Sequence, residues 1–97
     1  MPRLLYANWR KRVWLRRARK PHRCNECGRE IKPGEFYVED CILGAFEPIR
    51  FAVCIDCARS GRYKPKPTII YEGAYEEAER VFRSNLERYL TRVVDGR

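Results

Sequence analysis

Four of the five cysteines in this 97-residue chain form two pairs, each with two residues between its cysteines. The pairs are Cys24-Asn-Glu-Cys27 and Cys54-Ile-Asp-Cys57. This spacing lets one tight turn direct both sulfurs at a single ion, and zinc takes four such thiolates in a tetrahedron. We therefore predict one structural Zn²⁺ ion with the ligands Cys24, Cys27, Cys54 and Cys57.

The same cysteines also admit two disulfides, four ordinary buried thiols or an iron–sulfur cluster. Zinc is favoured because an odd cysteine count fits four ligands and one spare. No secretory signal is recognisable, so we expect an intracellular protein, in the cytoplasm or the nucleus, with reduced thiols. Cys41 is expected to be a buried apolar residue of a strand. His22 is a further ligand candidate that we leave out, since we expect it to be exposed to solvent.

Catalysis is not expected. With cysteine in all four zinc positions, no open position remains for a water molecule. The chain shows no nucleophile–base pair and no glycine loop that would bind phosphate. We therefore predict no catalytic residues and no small-molecule substrate. No apolar run reaches the length of a membrane-spanning helix, so no transmembrane association is expected either.

The elements that must position the cysteines lie in residues 23–61. Segments 35–43 and 49–54 are rich in Val, Ile, Phe and Tyr, and a turn-like segment, 44–48, separates them, which predicts a β-hairpin. Pro33 and Gly34 predict a turn before the first strand. After Cys54 the sequence IDCARSG favours a short helix that ends at Gly61.

The segment CNECGREIKPGEFYVED, which begins at Cys24, resembles the opening of a LIM-type finger. The segment CIDCARSG, from Cys54, resembles a second ligand pair entering a helix. Residues 23–61 thus resemble a treble-clef zinc finger, LIM-like or GATA-like, of the kind found as small single fingers in phage and mobile-element proteins. The resemblance implies a turn with the first cysteine pair, a β-hairpin, and a short helix with the second pair. The 26-residue spacer between the pairs is longer than in either family.

The net charge of +8 is unevenly distributed. Residues 1–23 carry nine bases and no acid (+9), residues 24–60 four bases and seven acids (−3), and residues 61–97 eight bases and six acids (+2). Basic residues interleaved with aromatic ones suit nucleic acid, because Lys and Arg neutralise phosphates and aromatic rings stack on bases. The predicted contacts are Arg10, Lys11, Arg12, Arg16, Arg17, Arg19, Lys20 and Arg23.

The basic arm and the C-terminal segment are both predicted to be helical. Leu5, Trp9 and Val13 recur every four positions, which indicates an amphipathic helix with Trp9 in the core. Residues 63–67 favour an extended connector, and residues 68–71 a short strand. The strongest helix pattern covers residues 74–94, and its apolar stripe would pack within the chain or against a second copy. The stripe consists of Tyr75, Ala78, Phe82, Leu86, Tyr89, Leu90 and Val93, flanked by Val81 and Val94.

Together these patterns predict a small α+β zinc-bound domain in four parts: a basic arm (1–22), a four-cysteine finger (23–61), a proline-rich connector with a short strand (62–72) and an amphipathic helix (73–97). We expect a nucleic-acid-binding protein, a small DNA-binding transcriptional regulator that contacts phosphates through its arm, with DNA favoured over RNA and a homodimer possible through the C-terminal helix. The alternative is a protein-interaction adaptor that uses the finger and this helix. A weaker alternative is peripheral binding of anionic membranes.

Overall fold

The computed structural model of the protein describes residues 2–44 and 46–95. Within these residues it contains six strands and two helices. In chain order they are β1 (Arg3–Asn8), β2 (Lys11–Arg17), β3 (His22–Arg23), β4 (Glu30–Ile31), β5 (Phe36–Ile42), β6 (Ile49–Cys54), α1 (Ile55–Ser60) and α2 (Ala74–Asp95). The molecule is thus a small α+β domain, as predicted.

Four of the strands form one antiparallel sheet in the order β1-β2-β5-β6, and β3 pairs with β4 in a separate two-stranded unit. The predicted hairpin is confirmed, since β5 and β6 pair from Tyr37 opposite Cys54 to Ile42 opposite Ile49. Its turn includes Ala45, which lies outside the described residues. β5 also pairs with β2 along its whole length, so the N-terminal segment forms half of the sheet.

The helix predicted for the basic arm is wrong. β1 and β2 form a hairpin with Trp9 and Arg10 in its turn. Side chains of a strand alternate between its two faces, so Val13 and Leu15 enter the core while Trp14 points away from it. Trp9 is 67% exposed and not part of the core. The four-residue recurrence arose from a turn and a β-bulge between Leu4 and Tyr6 rather than from helical turns.

The C-terminal helix is confirmed, and Ala78, Phe82, Leu86 and Leu90 of its apolar stripe are buried, whereas Tyr75 is 53% exposed. Phe82 and Leu86 are buried in the same core as Leu5. The Asn85 amide donates a hydrogen bond of 2.8 Å to the Leu5 carbonyl oxygen, which fixes the helix against the bulge. The side chains of Val93 and Val94 lie outside the described residues. Homodimerisation through this helix stays a prediction.

Residues 64–67 of the connector between the helices form neither helix nor strand, and the connector's Tyr63 and Pro65 side chains are buried. Its extended conformation stays a prediction. The strand predicted over 68–71 is wrong: residues 68–71 are described and pair with no other strand. Thr68 instead donates a hydrogen bond of 2.7 Å from its hydroxyl to the Asn8 side chain, so the segment lies beside the β1–β2 turn. Among the described residues, neither helix combines the length and apolar character needed to cross a bilayer.

Candidate metal centre

The sulfur atoms of the two cysteine pairs converge on one point. All four Sγ atoms lie within 4.8 Å of one another. Cys24 and Cys57 are 3.8 Å apart, as are Cys27 and Cys54. Sulfurs placed about 2.3 Å from one ion at the corners of a tetrahedron are about 3.8 Å apart, so the spacing fits metal ligation. A disulfide needs about 2.05 Å, and all four thiols are free. The cluster could therefore hold one metal ion.

The first pair is positioned by the turn between β3 and β4. The Cys24 N–H donates to the Arg29 carbonyl oxygen at 2.8 Å, and the Gly28 N–H donates to the Cys24 carbonyl oxygen at 2.9 Å. These bonds close the turn so that Cys24 and Cys27 lie on its inner side. Gly28 has a φ of 80°, in the left-handed region that residues with a Cβ rarely adopt.

The second pair sits where the sheet meets the first helix. Cys54 ends β6 and occupies the N-cap position of α1, without a side-chain capping bond, and Cys57 lies in the first turn of this helix. The helix ends at Gly61 in a left-handed conformation, so both the short helix and its predicted end are confirmed. The Asn25 N–H donates to the Ala52 carbonyl oxygen at 2.8 Å, which holds the β3–β4 turn against β6.

Backbone donors lower the pKa of the Cys24 thiol. Burial raises its pKa, but the N–H groups of Cys54, Cys27 and Glu26 outweigh that effect and lower the pKa to about 6. Burial raises the pKa of Cys54, and it raises that of Cys57 further with the help of the neighbouring sulfurs. A divalent cation in the cluster would supply positive charge that stabilises the thiolate form of all four cysteines.

Arg29 lies beside the cysteine cluster and pairs with two carboxylates. Its guanidinium lies 2.9 Å from the Glu35 carboxylate and 3.3 Å from that of Asp56 in α1. The charge of Glu35 is the largest cause that raises the pKa of Arg29, and Asp56 and the Cys54 sulfur add to it. Arg29 therefore brings positive charge next to a cluster whose thiolates are negative.

Cys41 and His22 are not part of the cluster. Cys41 is buried in β5, as predicted, between Arg12 and Arg50 of the neighbouring strands. His22 was expected to be exposed, but it is half-buried because its ring stacks on Tyr37, with ring centres 4.7 Å apart.

Lys11, one of the eight predicted nucleic-acid contacts, is not available for that role. Its ammonium lies 3.2 Å from the Asp40 carboxylate, and both side chains are buried. Because β2 is a strand rather than a helix, Lys11 falls on the same face as Val13 and points into the core.

The remaining seven predicted contacts separate into three groups. Arg10 and Arg12 lie at the β1–β2 turn, where Arg10 covers the Trp9 ring and Arg12 donates to the backbone carbonyl oxygens of Asn8 and Lys11. Arg23 donates to the Gly28 carbonyl oxygen beside the metal cluster. The third group lines an open groove of about 1080 Å³ and consists of Arg16, Arg17, Arg19 and Lys20.

Other residues that line this groove were not among the predicted contacts, namely Arg3, Arg50, His22 and Tyr37. Arg50 and Tyr37 could have been recognised from the period-two alternation of the predicted hairpin, which places both on the face opposite Val38 and Val53. Arg3 and His22 depend on how the N-terminal strands join the sheet, and no local pattern signals that.

The chain was compared with known protein families, curated proteins and solved structures. No protein-family model matches the chain, and neither the curated proteins nor the solved structures include a match.

Proposed function

We propose that this protein is a zinc-stabilised nucleic-acid-binding domain. Four cysteine sulfurs within 4.8 Å of one another are a donor set that suits zinc, and ligation by all four leaves no open ligand position, so the proposed role of the metal is structural and non-catalytic. The order of the parts supports a treble-clef type of finger: a turn with Cys24 and Cys27, the β5–β6 hairpin, and α1 with Cys57.

The observation that carries nucleic-acid binding is the charge of the open groove. Six basic residues line it, and its acidic residue, Glu39, is ion-paired with Arg16 at 3.0 Å. A surface of this kind binds phosphates because it displaces their counterions, so affinity falls steeply with salt. The basic residues are Arg3, Arg16, Arg17, Arg19, Lys20 and Arg50. DNA as the preferred form and a role in transcription stay predictions from the sequence.

A salt titration of binding tests this proposal. Deleting the N-terminal segment would remove two strands of the sheet, so charge substitution is the informative change. We expect Arg17→Gln, Arg19→Gln and Lys20→Gln together to weaken binding and to lower the slope of log K against log salt by about 2. The readout is fluorescence anisotropy of a labelled oligonucleotide.

The matched control neutralises three exposed arginines on α2, namely Arg80→Gln, Arg88→Gln and Arg92→Gln. It changes the net charge by the same amount away from the groove, and we expect a nearly unchanged slope. Equal losses in the two triple variants would show that only total charge matters, and the proposal would then fail.

A second candidate function, a protein-interaction adaptor, has one observation in its favour. Trp9, Ile69, Ile70 and Tyr71 are each more than half exposed, and the bond from Thr68 to Asn8 places them at the same end of the molecule. Clustered exposed apolar side chains of this kind often mark a protein-binding surface. Ile69→Ser with Ile70→Ser should abolish a co-purifying complex and leave the salt dependence of nucleic-acid binding unchanged.

A further inference from the structure

The sheet has one face that no helix covers within the described residues. Antiparallel partners share a face, so each row of this face can be read from the strand register. α2 and the connector pack on the opposite face, where Val13 and Leu15 lie. The rows of the open face are Arg12–Cys41–Arg50, Trp14–Glu39–Ala52 and Arg16–Tyr37–Cys54. Arg50 is exposed, whereas Cys41, Tyr37 and Cys54 are buried, and the β3–β4 unit covers the end of this face that carries Tyr37 and Cys54.

Stacked rings form part of the groove on this face. His22 lies on Tyr37 with ring centres 4.7 Å apart and planes 29° from parallel, and both residues line the groove. Tyr37 is buried beneath the His22 ring, while His22 itself is only partly buried. The Arg16 guanidinium lies over the neighbouring Trp14 ring at 5.6 Å from its centre. An accessible ring beside cations is what an unpaired base needs for stacking.

Basic residues flank the ring stack on two sides. Arg19 and Lys20 follow β2 on one side, and Arg50 lies in β6 on the other. These three side chains are exposed. A polyanion that crosses the strands therefore meets cations before and after the rings.

The helices do not offer an alternative of the kind that reads duplex DNA. α1 has six residues, and α2 carries four arginines and five acids, with Arg83 paired to Glu79 at 3.1 Å. Neither is a basic helix of the type that enters a major groove. A two-stranded β-ribbon can also enter the major groove of DNA. The β1–β2 turn is not a free ribbon of this kind, because the Leu43 N–H donates to the Arg10 carbonyl oxygen at 2.8 Å and ties the turn to the end of β5.

We propose that the open sheet face binds single-stranded nucleic acid, with a base stacked on His22 and phosphates held by Arg19, Lys20 and Arg50. This inference rests on the proposed nucleic-acid function and names the form of its ligand. DNA and RNA strands share the phosphates and flat bases that this surface recognises, so the test includes both.

Anisotropy titrations with labelled oligo(dT), oligo(U) and a mixed-sequence duplex of equal length provide the test. At one salt concentration, the better single strand should bind at least about fivefold tighter than the duplex, because only unpaired bases can stack. Preference for oligo(dT) identifies DNA as the ligand and preference for oligo(U) identifies RNA, and either supports the proposal.

Variants of the stack separate base contacts from phosphate contacts. His22→Ala should weaken single-strand binding at least about fivefold with an unchanged salt slope, whereas His22→Phe keeps a ring and should retain the affinity. Arg50→Gln leaves the β3–β4 turn intact and should lower the slope by about 0.7. Metal content and circular dichroism of each variant confirm that its fold is retained.

The outcomes distinguish binding of single strands from the more general proposal that the protein binds nucleic acid. If the duplex binds as tightly as both single strands, or if His22→Ala binds as tightly as His22→Phe, the single-strand proposal is wrong. The salt-dependent loss in the Arg17, Arg19 and Lys20 variant would still support nucleic-acid binding in that case. If no probe binds at low salt, both proposals fail.

Discussion

The Lys11 ammonium and the Asp40 carboxylate lie 3.2 Å apart in the core, with side chains only 6% and 8% exposed. The same carboxylate oxygen, Oδ2, accepts a hydrogen bond of 2.6 Å from the Tyr63 hydroxyl. Its other oxygen, Oδ1, is buried and has no hydrogen-bond partner among the described residues. The three side chains therefore join β2, β5 and the connector through one polar contact inside an apolar interior.

Removing one member of this group should be costly, because it leaves a buried charge without compensation. We expect Lys11→Met to lower the free energy of unfolding by about 3–5 kcal/mol. Lys11→Met with Asp40→Leu and Tyr63→Phe should recover most of that loss, since no unpaired polar group then remains. Urea unfolding with the metal bound measures both.

Lys20→Met is the control for Lys11→Met, because Lys20 is exposed and its replacement should change stability by less than about 0.5 kcal/mol. An equal effect of the two substitutions would contradict an energetic role for the buried pair.

Tyr63 should make the protein less stable in alkaline solution. Burial raises the pKa of Tyr63 above its ordinary value, and the charge of Asp40 raises it further. Above about pH 10 the unfolded chain loses the phenol proton while the folded chain keeps it, so stability falls as pH rises. Tyr63→Phe should reduce the steepness of this fall by up to about 1.4 kcal/mol per pH unit.

Urea unfolding over about pH 9 to 11 measures the effect of Tyr63→Phe. Tyr75→Phe, at a position more than half exposed, should leave the steepness unchanged. Parallel curves for the wild type and Tyr63→Phe would mean that the hydroxyl is not held neutral by its surroundings.

Metal binding should depend on the four clustered cysteines and not on the fifth. We expect about one zinc per chain in the wild type and in Cys41→Ala, and much less in Cys24→Ala with Cys54→Ala. Because ligation supplies much of the folding free energy of such sites, chelation should unfold residues 23–61. Elemental analysis gives the stoichiometry, and amide hydrogen exchange locates the unfolding. A protected 23–61 segment after complete chelation would sink this prediction.

Gly61 should resist substitution because of its backbone conformation. Its φ is 88°, and a Cβ there would lie 2.6 Å from the Arg83 guanidinium, which now donates to the Arg59 carbonyl oxygen. The side chain can move, so we expect Gly61→Ala to cost about 1–2 kcal/mol, mainly from the left-handed conformation. A Cβ at Gly44 meets no atom within 4 Å and its φ is not left-handed, so Gly44→Ala is the control. Thermal unfolding of both variants decides whether backbone conformation sets the difference.

The cysteine cluster, the β5–β6 hairpin and α2 could be predicted because each has a local signal. Two-residue cysteine spacing, apolar strands around a turn, and a helical stripe all depend on neighbours in the chain. The convergence of the two pairs follows from the hairpin between them, since it returns Cys54 to the level of Tyr37. These elements account for most of the candidate metal centre.

The N-terminal half of the sheet could not be predicted with the same rules, because β2 lacks the regular alternation of apolar and polar residues that indicates a strand. Lys11 occupies a core position that usually holds an apolar residue, and Trp14 lies on the face away from the core. The bulge before Tyr6 then breaks the alternation of β1. These segments are strands because β2 pairs with β5, which lies far away in the sequence. Such a contact cannot be recognised from a short stretch of sequence.

The strand order β1-β2-β5-β6 also bears on how the chain folds during its synthesis on a ribosome. The β1–β2 hairpin is made first, and a two-stranded hairpin alone is marginally stable in water. Its partner strand β5 follows only after the β3–β4 turn, and the second cysteine pair comes directly after β6. Sheet closure and metal capture therefore become possible at nearly the same point of translation. Until α2 is synthesised and packs on the sheet, Val13 and Leu15 are expected to be exposed to solvent. Chaperones that bind apolar segments could therefore bind the nascent chain at this stage.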